Sequence, residues 1–348
     1  MSLTSRHWTL ARRPQASLCL GDLERIERPV PEPADGEVLI RVLYLAMDPA
    51  VRGFMNASGN YAAPIPLGAP VRGVILGEVI RSRSAALAEG RIVWGFGSWS
   101  DYVVGPAAQY FPAAPAGFPL PAYIHALGAI GLTAHYGLLD IGALRAGDTL
   151  LVSAAAGATG SLVGQMAKIN GASRVVGIAG GPAKCRLAVE RYGYDECIDY
   201  KAVTNLSQAI GAALPKGVDV VFDGVGGAVL EAAIDHLAKN ARIALCGMIA
   251  GYNASARTAG PANLWNLVVK TARMHGFLVS DIFTQPARVA STLAAIADWV
   301  RQGRLVYDLD IRDGFDRIPE IYNALFTGAT TGRLVVRLAD SPSAAALP

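Results

Sequence analysis

The stretch GDTLLVSAAAGATGSLVGQMAK, residues 147–168, decides the fold. Residues 150–153 are a short apolar run, small residues follow over 154–160, and Leu162, Met166 and Ile169 then recur at helical spacing. That order predicts a strand, a small-residue turn and the start of a helix. Within the turn, Ala154, Gly157 and Gly160 stand in an A-x-x-G-x-x-G spacing, with Ala158 and Thr159 between the two glycines. Lacking Cβ atoms, Gly157 and Gly160 permit a tight turn and leave room for a phosphate against the bare N–H groups of a helix N-terminus. Gly164, one turn later, lets the helix lie close to the sheet. With a strand before it and a helix after it, the segment Ala154, Gly157, Ala158, Thr159 and Gly160 is a candidate dinucleotide-binding turn.

The pattern continues downstream. RVVGIA, residues 174–179, reads as a second strand buried on both faces. Pro182 is tolerated at a first helical turn and opens a helix reaching residue 192. Further strands are expected at 196–199, 218–223 and 242–248, with helices over 203–214 and 229–237. A later helix over 286–302, with Val289, Leu293, Ile296 and Val300 on one face, reads as packing. Alternating strands and helices with right-handed crossovers give an α/β, doubly wound parallel sheet.

The residues just past the second strand select the cofactor. An NAD site places an acidic residue there to hold the ribose 2′-OH, whereas this chain has Gly180, Gly181 and then Lys184, with Arg186 close by. A 2′-phosphate needs cations, so NADP(H) is expected. A solvated lysine on a first helical turn is the other reading of Lys184.

Composition sets the bounds. A chain of 348 residues, 52% of them apolar, suggests two domains with substantial cores. Its 31 basic and 28 acidic residues leave a net charge of +3 and no basic run, so no nucleic-acid partner is indicated. Cys19, Cys185, Cys197 and Cys246 lie far apart with no C-x-x-C pair, which argues against a disulfide frame or a structural zinc and fits reduced thiols in a cytoplasmic protein. The first fourteen residues lack an apolar core region, so no secretory signal is expected. Residues 102–139 carry no charge, yet the prolines at 106, 112, 115, 119 and 121 break that run, and a buried helix is expected rather than a membrane span.

The first 120 or so residues look β-rich, with strands at 38–44, 91–96 and 102–104 and a strand with a turn at 71–80, where Gly73 and Gly77 fall. Pro29, Pro31 and Pro33 mark an early loop. Frequent turns between short strands suggest a partly closed, barrel-like β domain. GRLVVRL, residues 332–338, is another strand, expected to return to that domain. The division expected is a β-rich substrate domain over 1–125, a dinucleotide-binding domain over 126–303, a return over 304–340 and a disordered tail over 341–348.

Several stretches together carry a resemblance: AMDPAVRGFMN (46–56), GLTAHYGLLDIG (131–142), the turn itself, VVGIAGGPAKC (175–185), IDYK (198–201), FDGVGG (222–227), GMIAGYN (247–253) and GFLVSD (276–281). The chain resembles the medium-chain dehydrogenase/reductase superfamily. Within it, these pieces are similar to the zinc-independent double-bond reductases, a group with leukotriene and prostaglandin reductases, plant 2-alkenal reductases and bacterial curcumin reductases. Catalytic zinc in the alcohol-dehydrogenase branch needs Cys and His ligands. Where that branch has its first cysteine ligand, this chain has Met47, Asp48 and Pro49, and its first domain offers only Cys19, His7 and His125.

The resemblance implies hydride transfer without a metal to an acceptor that spreads charge onto oxygen. An α,β-unsaturated aldehyde or ketone fits, because hydride at the β-carbon gives an enolate that a donor must stabilise. By resemblance that donor is Tyr252, just past the fifth strand; a tyrosine packed over a loop is the other reading. The resemblance further assigns Lys184 and Tyr200 to the 2′-phosphate, and Gly157, Gly160 and Asn253 to the rest of the cofactor. Asp48 and Arg52 match a motif in the wall between the domains, where an internal Asp48–Arg52 pair with a structural role is the alternative.

Departures concentrate at the reacting end. Ala50 stands where the group has a substrate-facing tyrosine, Gly224 and Thr330 each replace an asparagine, and Ala129, Ile130 and His135 replace Met, Pro and Tyr. His135 is thereby a new polar group for the pocket or a histidine satisfied in the core. The expectation is an NADPH-dependent enone reductase with a pocket enlarged near Ala50. A quinone reductase and an NADPH-binding protein without turnover are the alternatives. By resemblance the residues from 264 to 269 with GFLVSD build an edge-to-edge sheet in a homodimer, and no membrane partner is expected.

Overall fold

A computed structural model describes residues 3–19, 21–57, 61–254 and 259–340. The expected disordered tail at 341–348 lies outside the described residues. The chain forms two compact units, Met1–Gly128 with Leu309–Pro348, and Ala129–Asp308. No helix of the described residues is long and apolar enough to cross a membrane.

The first unit contains β1 (Thr4–Leu10), β2 (Leu23–Pro29), β3 (Glu37–Ala46), β4 (Arg72–Ser82), β5 (Ile92–Ser98), β6 (Tyr102–Pro106) and β7 (Tyr110–Pro112). Of these, β1 and β2 form their own antiparallel pair. Their low apolar content explains why periodicity misses them: in LERIERP of β2 only Leu23 is buried. In the main sheet β3 is the long buried member and pairs antiparallel with both β4 and β6. Gly73 and Gly77 suggest a turn, yet β4 runs unbroken through them, because these glycines serve close approach. A Cβ at Gly77 would stand 2.5 Å from the Arg41 carbonyl oxygen, and one at Gly73 would stand 2.9 Å from Trp99 Nε1. The uncharged stretch over 102–139 holds no single buried helix: after β6 and β7 come the short helical pieces Leu120–Ile124 and Ala129–His135 and a wider turn over Tyr136–Ile141.

The second unit carries β8 (Thr149–Ser153), β9 (Arg174–Ala179), β10 (Glu196–Asp199), β11 (Val218–Asp223), β12 (Leu237–Leu245) and β13 (Arg273–Gly276). All neighbours in its order, β10-β9-β8-β11-β12-β13, are parallel. Helices Ala158–Ile169, Pro182–Glu190, Leu206–Ala213 and Gly227–Ile234 form the crossovers between β8 and β12. The fifth strand ends three residues earlier than expected, because Leu237, Ala241 and Ile243 supply the buried positions and the chain leaves the sheet after Leu245. One helix begins at Leu206 rather than 203, since the Asn205 side chain accepts from the Gln208 N–H at 2.9 Å and caps it there. Helix Pro286–Arg301 buries Val289, Leu293 and Ile296 as its spacing predicts.

The chain then re-enters the first unit as β14 (Leu309–Asp313) and β15 (Arg333–Arg337). Antiparallel pairing joins β15 to β3, and β14 lies outside it, parallel, at the sheet's edge. The order β14-β15-β3-β4-β5-β7 has two free ends, so this sheet is not a closed barrel. Val42, Ile75, Trp99 and Tyr322 are among the buried residues of its core.

Candidate functional site

In the second unit β8 pairs with β9 on one side and β11 on the other, so the strand order reverses direction at β8. In open parallel sheets ligands bind beside such a point, at the carboxyl ends of the strands. The turn after β8 opens with Ala154 in the left-handed region, φ 51°. Its carbonyl oxygen accepts from the Gly157 N–H at 2.9 Å. The same oxygen would lie 2.3 Å from a Cβ on Gly160, so glycine is obligatory there. Helix Ala158–Ile169 starts from Gly157 with no side-chain cap. Its first N–H groups therefore face a space without protein acceptors from a capping residue, as an anion site requires. Ala154 is exposed, Gly157, Ala158 and Thr159 half-buried, and Gly160 buried.

Tyr194 explains Gly164 and is not visible in the sequence pattern. A Cβ on Gly164 would meet the Tyr194 ring at 2.3 Å, and the buried Tyr194 hydroxyl donates to the Gly160 carbonyl oxygen at 2.6 Å. The helix thus docks on a tyrosine wedge as well as on strands. Burial pushes that hydroxyl's pKa well up, so it stays a donor.

At the end of β9, Gly180 and Gly181 lead into the helix that carries Lys184 on its first turn. Tyr200 and Lys201 follow β10 and lie over Gly180, where a Cβ would come within 2.9 Å of Tyr200 Cε1 and 3.1 Å of Lys201 Cε. Burial lowers the Lys184 pKa, and the neighbouring charge of Lys201 lowers it further. The structure therefore brings Lys184 and Tyr200 into one corner and adds Lys201.

The ends of β11 and β12 form the other flank. Buried Asp223 accepts from Ser153 Oγ at 2.6 Å, Val225 N–H at 3.1 Å and Gly226 N–H at 2.8 Å, while Gly224 N–H donates to Ser153 Oγ at 2.9 Å. Burial raises the Asp223 pKa against these bonds, which favour its charged form. A Cβ on Gly224 would meet nothing within 4 Å, so its small size leaves open space. Tyr252 ends the short helix Ile249–Tyr252, and its hydroxyl accepts a long bond from the Met248 N–H at 3.4 Å. Burial raises its pKa above 10.0. Next to it, Asn253 Oδ1 is buried and has no hydrogen-bond partner among the described residues. His135 stacks on Trp299 at 6.1 Å between ring centroids, and burial lowers its pKa.

In the first unit the Asp48–Arg52 pair, the alternative reading of these two residues, does not form. Asp48 is held by both guanidinium nitrogens of buried Arg333 on β15, Nη1 and Nη2. Arg52 turns instead to the 14–16 loop, donating to the carbonyl oxygens of Ala16 at 3.0 Å and Pro14 at 2.8 Å, and to Asn56 Oδ1 at 2.6 Å. Two charges four residues apart each find a better-placed partner, and the arginine that completes the Asp48 pair lies 285 residues away in sequence. Ala50 is half-buried ahead of the short helix Val51–Phe54, and Thr330 is half-buried between Gly328 and β15.

Among the described residues no group of three or more His, Cys, Asp or Glu could hold a metal ion. The four cysteines are free thiols. Where the first cysteine ligand of the zinc branch would stand, Asp48 is committed to Arg333. The donor set does not fit a catalytic zinc.

A family model described as the N-terminal domain of oxidoreductase matches residues 6–113, and one described as a zinc-binding dehydrogenase matches 158–298. The NADPH-dependent curcumin reductase of Escherichia coli (strain K12) is 34% identical over 96% of this chain and 97% of its own length. The NADP-dependent 2-alkenal reductase of Nicotiana tabacum is 36% identical over 89% of this chain and 90% of its own length. The crystal structure of CurA from Vibrio vulnificus in complex with NADPH superposes with a TM-score of 0.89 at 33% identity, over 97% of this chain and 100% of that one. The chain belongs to the medium-chain dehydrogenase/reductase superfamily. Within it, the chain is a member of the zinc-independent double-bond reductases, the group that includes these relatives.

Proposed function

We propose that the protein is an NADPH-dependent oxidoreductase that reduces the activated C=C bond of α,β-unsaturated aldehydes or ketones. Its relatives include a curcumin reductase and a 2-alkenal reductase, each NADP(H)-dependent by name. The single observation that carries the reading in this chain is the corner at Gly180, where Lys184, Lys201 and Tyr200 meet and no ribose-binding acid succeeds β9. A phosphate-bearing dinucleotide fits this corner together with the Gly157–Gly160 turn, and the unpartnered Asn253 Oδ1 awaits a hydroxyl donor.

NADPH supplies the hydride. The residues of this chain bind and orient: the turn of Ala154, Gly157, Ala158, Thr159 and Gly160 takes the pyrophosphate, Lys184 and Tyr200 the 2′-phosphate, and Asn253 and Thr330 further cofactor contacts. Tyr252 serves as the donor to the substrate oxygen. Its raised pKa keeps the hydroxyl protonated through neutral and mildly alkaline pH, so a proton is present where enolate charge develops. Its bond to the Met248 N–H uses the oxygen as acceptor and leaves the O–H free to donate. We assign Asp48, Ala50 and Arg52 to the substrate-side unit and, in the dinucleotide-binding unit, Gly224 to open space beside the cofactor. The Ala129–Asp308 unit is the dinucleotide-binding part, and the remainder is the substrate part.

The purified protein, assayed for NADPH oxidation with an alkenal, an enone and simple quinones, tests the reading. Turnover that prefers the alkenal or enone supports it. A preference for quinones makes the protein a quinone reductase, and tight NADPH binding without turnover on any acceptor makes it a nucleotide-binding protein. We further propose a cytoplasmic homodimer. Exposed Leu264, Trp265, Val268 and Val269 flank the exposed edge strand β13, and an apolar face beside an unpaired strand edge favours association. Sedimentation as a monomer would contradict it.

A further inference from the structure

Lys184 and Lys201 stand together at the carboxyl ends of β9 and β10, and among the described residues neither has a carboxylate within ion-pair distance. Lys168, in the same unit, is bound to Asp195. Two like charges brought together cost free energy unless an anion joins them.

The arrangement is built rather than incidental. Asp199 Oδ1 accepts from the Gly181 N–H at 2.8 Å and from the Lys201 N–H at 3.0 Å. One carboxylate oxygen thereby ties the loop that leads to Lys184 to the loop that carries Tyr200 and Lys201. Gly180 lies under both side chains, a Cβ there coming within 2.9 Å of the Tyr200 ring and 3.1 Å of Lys201 Cε. An acid near an adenosine ribose ordinarily selects NAD by accepting from the 2′-OH. This acid has Oδ1 committed to two backbone amides, so it organises cations.

We propose that Lys201 is a second cation for the 2′-phosphate of the coenzyme, and that Asp199 is a positioning residue that sets Lys201 beside Lys184. The proposal rests on the NADP(H) reading above and deepens it by naming two residues that set coenzyme specificity.

Calorimetric titration of the full-length protein with NADPH and with NADH tests it. Lys201→Ala weakens NADPH about fivefold, as an exposed charge contact does, and leaves NADH unchanged. The difference between wild type and variant shrinks as KCl is raised. Asp199→Asn keeps an Oδ1 acceptor for both amides and retains the NADPH preference. Asp199→Ala frees the two loops and lowers NADPH affinity to about the level of Lys201→Ala, with NADH again unchanged. If Lys201→Ala leaves the NADPH to NADH ratio intact while Lys184→Ala reduces it, Lys201 is a solvated lysine and the inference fails although the cofactor reading stands. Should Asp199→Asn and Asp199→Ala weaken both coenzymes alike, Asp199 is structural only and the positioning claim falls. Wild-type protein that holds NADH as tightly as NADPH would overturn the cofactor reading itself.

Discussion

The carboxyl edge of the parallel sheet has two flanks that recognise in different ways. On the β8–β10 flank the backbone shapes the turn and cations stand beside it: Gly160 leaves room for the Ala154 carbonyl, helix Ala158–Ile169 offers its first N–H groups uncapped, and Lys201 lies over Gly180. On the β11–β12 flank side chains decide: Tyr252 presents a hydroxyl, Asn253 a buried unpartnered oxygen, and Gly224 an empty space where a side chain would fit. A site made of backbone tolerates almost no substitution. A site made of side chains on short loops can change its substrate without disturbing the sheet.

The sharpest way to break that contrast is Gly160→Val. Its Cβ would fall 2.3 Å from the Ala154 carbonyl oxygen, a clash with backbone. The turn then distorts at a cost of about 2–3 kcal/mol, and NADPH binding is lost. Calorimetry reads the binding, and thermal unfolding reads the cost. A variant that binds NADPH normally would show that this flank is not set by backbone contact.

On the side-chain flank, Tyr252→Phe is expected to lower kcat for an enone roughly 100-fold with NADPH affinity and stability little changed, because the hydroxyl makes only a 3.4 Å bond within its own loop. Burial raises the Tyr252 pKa, so the rate that depends on its proton stays level through mildly alkaline pH and falls only above 10.0, the ordinary tyrosine value. A rate that drops near neutrality would remove Tyr252 from the donor role.

Lys184→Ala comes next, weakening NADPH about tenfold and NADH hardly at all, as loss of a charge-assisted bond to a phosphate predicts. The sign with pH is set by its lowered pKa. Phosphate binding needs the charged amine, so affinity is full below the folded-state pKa and falls as pH rises through it, before 10.5, the ordinary lysine value. Stability moves the other way, because the unfolded chain holds this proton more tightly and the burden of burying the cation disappears over the same window. A titration of NADPH affinity from neutral to alkaline pH checks the sign.

The smallest effect is expected at Ala154→Gly. Ala154 sits at φ 51°, where an L side chain is strained, so glycine relieves the native state at the expense of a freer unfolded chain. The two effects oppose, and the melting temperature should move by no more than a few degrees, roughly 1 kcal/mol in stability. A large loss would mean that the Ala154 side chain has a role of its own in the turn.

The same contrast governs what the sequence discloses. The glycines at 157 and 160, the apolar runs of β8, β9 and β11, and the basic residue after β9 are legible because periodicity and backbone space depend on a few neighbouring residues. The partner of Asp48 is not, since Arg333 comes from a strand 285 residues away and Arg52, four residues on, looks the nearer choice. Tyr194 and Lys201 escape because each packs on a glycine well before it in the chain, Gly164 and Gly180. Strands β1, β2 and β14 escape because their alternation is charged or sparsely buried and tertiary pairing decides them. His135 stands out in the sequence as a new polar group, whereas its ring lies stacked on Trp299.

The central claim is that cations at the end of β9 select a phosphorylated coenzyme whose hydride reaches an enone. The most direct test is a paired measurement on the wild-type protein: Kd for NADPH and NADH, and NADPH-driven reduction of a 2-alkenal in metal-chelated buffer. The account predicts NADPH bound at least about tenfold more tightly, as two charge contacts imply, with full activity after chelation. Equal affinity for NADH, or activity restored only by added zinc, would contradict it.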